Sequence, residues 1–133
     1  MPFDVIKNIG ADSTPIEYYL LTDNEGVTMG EALKQVNGRL TKAAATDTPE
    51  FISQRTQAAE ATSKTPIPVI RVTETQELET TSTDTVDNTL VGQKVTIDAS
   101  GDKVTATTTS GVFLVSSTDG AATNSKIRGY FRR

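Results

Sequence analysis

The sequence predicts an all-β chain: a small antiparallel β-barrel or β-sandwich built from two quasi-repeated β units, with an extended amino-terminal arm. Three observations predict it. Residues 92–116, GQKVTIDASGDKVTATTTSGVFLVS, alternate apolar and polar side chains at Val95 and Ile97 and again at Val104 and Ala106, the period-2 signature of half-buried strands. Threonine makes up roughly a sixth of the chain, which suits an exposed β surface and disfavours helix. The first half of the chain also carries a degraded copy of the second.

The copy shows in the order of its glycines and aromatics. Gly30-Glu31-Ala32-Leu33 matches Gly92-Gln93-Lys94-Val95, and Asn37-Gly38 falls where Ser100-Gly101 falls. Leu40-Thr41-Lys42-Ala43 matches Val104-Thr105-Ala106 after a slip, and Phe51-Ile52-Ser53 matches Phe113-Leu114-Val115. Pro68-Val69-Ile70-Arg71 lines up with Gly129-Tyr130-Phe131-Arg132. The quasi-repeats therefore run over about 26–75 and 88–133, inside one β domain at 16–133 that follows an arm at 1–15.

Along the chain, the arm ends in the loop signal Gly10-Ala11-Asp12-Ser13-Thr14-Pro15. It reads either as a frayed terminus or as an arm that orders against a neighbouring subunit, which would explain its isolated apolar residues Phe3, Val5, Ile6 and Ile9. Ile16 to Thr22 reads as a strand and Asp23 to Gly26 as a turn. Thr28 to Val36 is ambiguous: Met29, Ala32, Leu33 and Val36 fall at helical spacing, and Thr28 with Glu31 forms a capping-box pattern. The repeat argues for strand, and Asn37-Gly38 then makes the hairpin turn. Leu40 to Ala45, Phe51 to Gln54, Ile67 to Thr75 and Ile127 to Phe131 continue the β structure, with Pro66 and Pro68 placing the third of these at a sheet edge or strand start. Gln57 to Pro66 is a polar loop with room for a helical turn at Ala58 to Ala61. Gln76 to Asn88, dominated by Thr, Glu and Asp, reads as a solvated strand and loop.

Composition narrows the function classes. A chain of 133 residues fits one domain. Its 35% apolar and 5% aromatic content implies a thin core, of the kind that borrows stability from a partner. Without Cys or His there is no disulfide framework, zinc-finger site or nucleophile–His dyad. A net charge of −4 argues against direct nucleic-acid binding. No run reaches the ~20 apolar residues of a membrane span, and secretion is not signalled.

The chemistry-bearing candidates have plainer readings. Ser100-Gly101-Asp102-Lys103 is a formal S-x-x-K, but it straddles a turn where the catalytic motif opens a helix. Asp98 with Asp102, and Asp84 with Asp87, lack the spacing of a calcium loop and read as turn formers. Glu74, Glu77 and Glu79 sit on a polar stretch with no apolar pocket to shift a carboxyl pKa. Arg128, Arg132 and Arg133 on an acidic protein read as contacts to an acidic neighbour. No catalytic residue, metal ligand or cofactor site emerges, and the chain is not expected to be an enzyme.

The stretches TMGEALKQVNGRLTKAAATDTPEFIS, IPVIRVTETQELETT and VGQKVTIDASGDKVTATTTSGVFLV together resemble tailed-bacteriophage capsid decoration proteins, also called cement or head-fibre-type proteins. The resemblance spans about Ile16 to Phe131. It implies a small β domain on the outer surface of the virion, bound to the major capsid protein and bridging neighbouring capsid subunits to stabilise the shell. Decoration proteins have no catalytic residues to carry over, and no cofactor is implied. On this reading Phe3, Val5, Ile6 and Ile9 are the capsid-contact candidates, and a homotrimer would cover edge strands together with Tyr130 and Phe131. Two alternatives stay open: another virion structural β protein (tail tube, head completion or fibre component), or a surface carbohydrate- or protein-binding module. Three tyrosines and no Trp make a poor sugar-stacking set.

Overall fold

A computed structural model describes residues 3–8 and 15–132. Its strands are β1 (Asp4–Asn8), β2 (Ile16–Tyr19), β3 (Ala32–Val36), β4 (Arg39–Lys42), β5 (Phe51–Ser53), β6 (Ile67–Arg71), β7 (Gln76–Thr81), β8 (Lys94–Val95), β9 (Phe113–Thr118) and β10 (Lys126–Phe131). They form two five-stranded antiparallel sheets packed together as a sandwich, with orders β2-β6-β5-β3-β4 and β1-β7-β10-β9-β8. Among the described residues there is no α-helix; Ala58 to Ala61 is irregular, and the one helical element is a 3-10 turn at Asn88–Leu90. Thr28 to Val36 resolves as a turn followed by β3. Ala32 and Leu33 go to opposite faces of the sheet, which a helix with both on one stripe would not do.

Each sheet carries one copy of the repeat, and the backbone hydrogen bonds show it position by position. In the first unit Gly30 N–H donates to the Ser53 carbonyl at 2.9 Å and Ser53 N–H to the Glu31 carbonyl at 3.0 Å. In the second, Gly92 N–H donates to Val115 at 2.8 Å and Val115 N–H to Gln93 at 3.0 Å. Both glycines have positive φ, 82° and 87°, which spares them the Cβ clash other residues would meet there. Leu33 faces Phe51 as Val95 faces Phe113. A parallel bridge then ties the end of the first strand to the hairpin's return: Leu21 to Leu40 in one unit, Ser82 to Val104 in the other. The shared order β3-β5-β6-β2 and β8-β9-β10-β7 completes the match.

The last strand corrects the sequence alignment by one residue. Phe51 faces Arg71 and Phe113 faces Phe131, so Arg71 corresponds to Phe131, and Val69 to Gly129. A Cβ at Gly129 would lie 2.1 Å from the Leu114 carbonyl oxygen, so this unit has no room for valine there.

The units stack inner face to outer face. One face of the first sheet, with Leu33, Leu40, Phe51, Ile67 and Val69, makes its own small core with Leu21 and Val27. The opposite face, with Ala32, Ile52 and Ile70, packs against the inner face of the second sheet, where Leu78, Val95, Phe113, Val115, Ile127 and Phe131 gather. Three backbone hydrogen bonds stitch the two units: Ala32 N–H to the Gly101 carbonyl at 2.8 Å, Ile97 N–H to the Ala45 carbonyl at 3.0 Å and Phe3 N–H to the Gly30 carbonyl at 3.0 Å.

Three sequence expectations change. Residues 4–8 are not a free arm but edge strand β1 on β7, and Phe3 enters the core. Of the two places open to the prolines the strand start holds and the sheet edge does not: Pro66 immediately precedes β6, and Pro68 is its second residue, between β2 and β5. The Pro68 carbonyl accepts from Gln54 N–H at 2.9 Å, so the N–H it lacks would aim at the same side, just where β5 ends. The Thr- and Glu-rich 76–81 stretch is no solvated strand. It is β7, internal to its sheet, with Gln76, Leu78, Glu79 and Thr80 buried. Gln76 anchors the link between the units, accepting from Thr73 N–H at 3.1 Å and donating to the Arg71 carbonyl at 2.6 Å.

Candidate interaction surface

The four contact candidates from the amino terminus separate on folding. Phe3 is 3% exposed and packs on Phe131 and Phe113, with ring centroids 5.0 and 5.7 Å away. Val5 lies half-buried against the same core, facing Leu78 across the strand pair. Ile6, at the bulge between Val5 and Lys7, stays at the surface, and Ile9 lies outside the described residues. Phe131, expected under a neighbouring subunit, is fully buried in its own chain.

A different group of apolar side chains reaches solvent together. Between β1 and the first sheet lies a cleft of about 370 Å³ lined by Phe3, Val5, Met29, Gly30, Gln54 and Ile70. Its rim is set by the turn Thr28 to Glu31. Glu31 N–H donates to the Thr28 carbonyl at 3.1 Å, Gly30 takes the positive φ, and the Ser53 hydroxyl donates to the Thr28 carbonyl. Glu31 Oε1 accepts from Thr28 N–H at 3.4 Å, so the capping-box residues do meet, around a turn instead of a helix. Met29 N–H donates to Thr56 Oγ1 at 3.0 Å, Met29 itself is exposed, and Phe3 N–H hooks β1 to the Gly30 carbonyl at 3.0 Å. Beyond the cleft, Ile70 faces Ile16 and Pro68 faces Tyr18 across the β2–β6 pair. Directly opposite residues share a face, so Ile16 and Tyr18 continue the apolar surface that the second unit covers farther along. They are 56% and 61% exposed.

These rim residues were not singled out in the sequence. Ile16 and Tyr18 are a clear i, i+2 pair, but period 2 does not say which face the rest of the fold leaves open.

A second cleft, about 420 Å³, is lined by Thr48, Pro49, Glu50, Arg71, Val72 and Phe131 among others. Arg71 there is already engaged. It donates to Glu17 at 2.9 and 3.1 Å, and its guanidinium lies 4.8 Å from the Phe51 ring centroid. Arg71, followed by the Tyr19 hydroxyl, holds the Glu17 carboxyl below its ordinary range, while Glu17 pushes the Tyr19 phenol up.

The polar candidates serve the fold. Asp98 accepts from Ser100 N–H, which lowers its pKa, and the Ser100 hydroxyl donates to Asp102 at 2.7 Å within the turn, leaving no S-x-x-K helix. Asp87 caps the 3-10 turn through the hydroxyl and N–H of Thr89, and both lower its pKa. Glu77 accepts from the Ser116 and Tyr130 hydroxyls, and Glu79 pairs with Arg128 Nε at 2.9 Å. Arg132 Nη1 lies 3.9 Å from Glu74, so the acidic neighbours of Arg128 and Arg132 belong to this chain; Arg133 lies outside the described residues. Among the described residues, no three His, Cys, Asp or Glu side chains converge as a metal site would need.

No family model matches the chain, and no curated protein is similar to it in sequence.

Proposed function

We propose that the protein is a capsid decoration protein. It binds the outer surface of an assembled phage head and bridges major capsid subunits, stabilising the shell through many weak repeated contacts. Two things support the reading: the resemblance of its repeated segments to decoration proteins, and the exposed apolar surface at Ile16, Tyr18 and Met29. The second is the structural observation that carries it. Large apolar side chains gathered beside a preformed cleft mark a protein-binding surface, and a capsid lattice offers the same partner many times over. The amino-terminal residues enter this reading through Ile6 and the cleft wall rather than as a loose arm.

The test is co-sedimentation of the purified protein with undecorated heads of the cognate phage, quantified as copies per shell. Saturation at a fixed number matching a capsid symmetry class is the expected result. No binding, with discrete rings or tubes formed by the protein alone, would transfer it to the tail or head–tail junction. Deleting residues 1–12 is a poor probe, because it removes Phe3 from the core; Met29→Ser and Ile6→Ser leave the core intact.

A further inference from the structure

We propose that β2 is a docking edge, onto which a strand of the partner adds in antiparallel fashion. The inference rests on the decoration reading, so the partner is a segment of the capsid subunit.

The backbone geometry exposes this edge. The Leu20 carbonyl accepts from Leu40 N–H at 2.9 Å, and Thr22 N–H donates to the Leu40 carbonyl at 2.9 Å. Both bonds lie on the side of the chain away from β6. Strand residues alternate the direction of their N–H and C=O, so Ile16 and Tyr18, in step with Leu20, point their polar groups to that same outer side. The facing residues agree. Tyr18 is opposite Pro68, whose carbonyl turns to β5, so neither residue of the pair bonds the other. Among the described residues β2 pairs with β6 alone, and the outer side of Ile16 and Tyr18 has no strand beside it.

Natural edges are blunted by lysine, proline, bulges or a covering loop. Within β2 there is no lysine, proline or bulge. Its outward side chains on one face are Ile16 and Tyr18, which continue the face that already packs Ala32, Ile52 and Ile70 against the second unit. A partner strand there extends an interface the protein already makes. Main-chain bonds would supply affinity and alternate side chains specificity.

Charge decides against a second copy of this chain as the occupant. Two β2 strands paired through Ile16 and Tyr18 would set Glu17 directly against its own counterpart; each carboxylate is bonded to its own Arg71, which softens the repulsion, but a second copy still opposes like charges where a heterologous strand need not. The edge fits a strand with apolar residues beside Ile16 and Tyr18 and a basic or uncharged residue opposite Glu17.

The test compares wild type with Tyr18→Pro and Tyr18→Lys for binding to undecorated heads, with Val36→Lys at the exposed β3–β4 hairpin as control. Tyr18→Pro removes an N–H that bonds no other described residue; Tyr18→Lys places a guarding charge at the edge without restricting the backbone. Both are expected to weaken binding at least tenfold with thermal stability kept, while Val36→Lys binds as wild type. Amide exchange at Ile16 and Tyr18 should slow in the complex. Wild-type binding retained by both variants, or unchanged exchange at these amides in the complex, overturns the docking edge and leaves the decoration reading standing. Wild type that fails to bind heads removes the decoration reading, and this inference with it.

Discussion

The two units share a backbone and differ in what covers them. Phe51 in the first and Phe113 in the second occupy the same place in the same ladder. Around Phe113 the inner face is mostly apolar, with Gln76 and Thr80 its buried polar members: Phe131 stands 5.1 Å away edge-on, and Phe3 arrives from the far end of the chain. Around Phe51 the matching positions hold Arg71 over the ring and Tyr19 tilted against it at 4.9 Å, with Glu17 closing the set where the second unit has Leu78. The outer faces differ in the opposite sense. Ala32, Ile52 and Ile70 lie under the second unit, whereas their counterparts Lys94, Leu114 and Tyr130 form part of a polar surface with Glu77 and Arg128. At these matching positions the repeated scaffold carries apolar residues where the neighbouring unit covers it, and charged or amphipathic ones where it does not. The second unit also needs an outside aromatic: Thr80 stands where the first unit has Tyr19, and Phe3 fills the gap. Among the described residues β1 has no equivalent on the first sheet.

Exchanging residues between the units tests this directly. Ala32→Lys, which installs the second unit's residue in the first, buries an unpaired cation at the seam. It should cost about 4 kcal/mol or more, enough to prevent folding in many chains of this size. Lys94→Ala, the reverse exchange, should stay within about 1 kcal/mol in chemical denaturation. Comparable losses for the two would break the comparison.

Phe3→Ala should cost about 3 kcal/mol or more, as deleting a buried ring does, and Tyr19→Ala less, because Tyr19 is partly solvated on the first unit's open rim. Gly101→Ala probes the stitch between units. Its φ is +81°, and a Cβ would come within 2.9 Å of the Glu31 and Lys42 side chains, so a loss of about 1–3 kcal/mol is expected in urea titration.

The smallest effect concerns pH. Glu31 is buried at the seam, and desolvation raises its pKa above the ordinary value; Asp102 and Glu25 add to the rise, while the Thr28 N–H and Lys42 oppose it. Folding therefore favours the protonated carboxyl. The stabilisation is complete below the ordinary glutamate range and is lost as pH rises through the raised pKa. Glu31→Gln should have a higher Tm than wild type at pH 7, with the gap narrowing toward pH 4. A gap that widens in acid would contradict this placement of the carboxyl.

The repeat was legible in the sequence because the ladder needs its features at fixed positions: the positive-φ glycines 30 and 92, and the aromatics 51 and 113 that face Leu33 and Val95. The final strand misled by one residue because Arg71 and Arg132 invite alignment, whereas Arg71 in fact stands in the place of Phe131. β7 was hidden for another reason. Its buried residues include Gln76, Glu79 and Thr80, whose burial depends on hydrogen bonds and an ion pair from distant segments. Phe3 and the apolar rim were out of reach as well. A Phe in a short segment of isolated apolar residues carries no sign of which distant strand will receive it, and the exposure of Ile16 and Tyr18 follows from where the second unit stops covering the first.

The most direct test of the account is residue-resolved hydrogen exchange on wild type and Phe3→Ala. If β1 closes the second unit while the first keeps its own core, exchange will quicken at 76–81, 113–118 and 126–131, with 51–53 and 67–71 little changed. Equal quickening in both sheets would show one undivided core and contradict the division into two differently covered units.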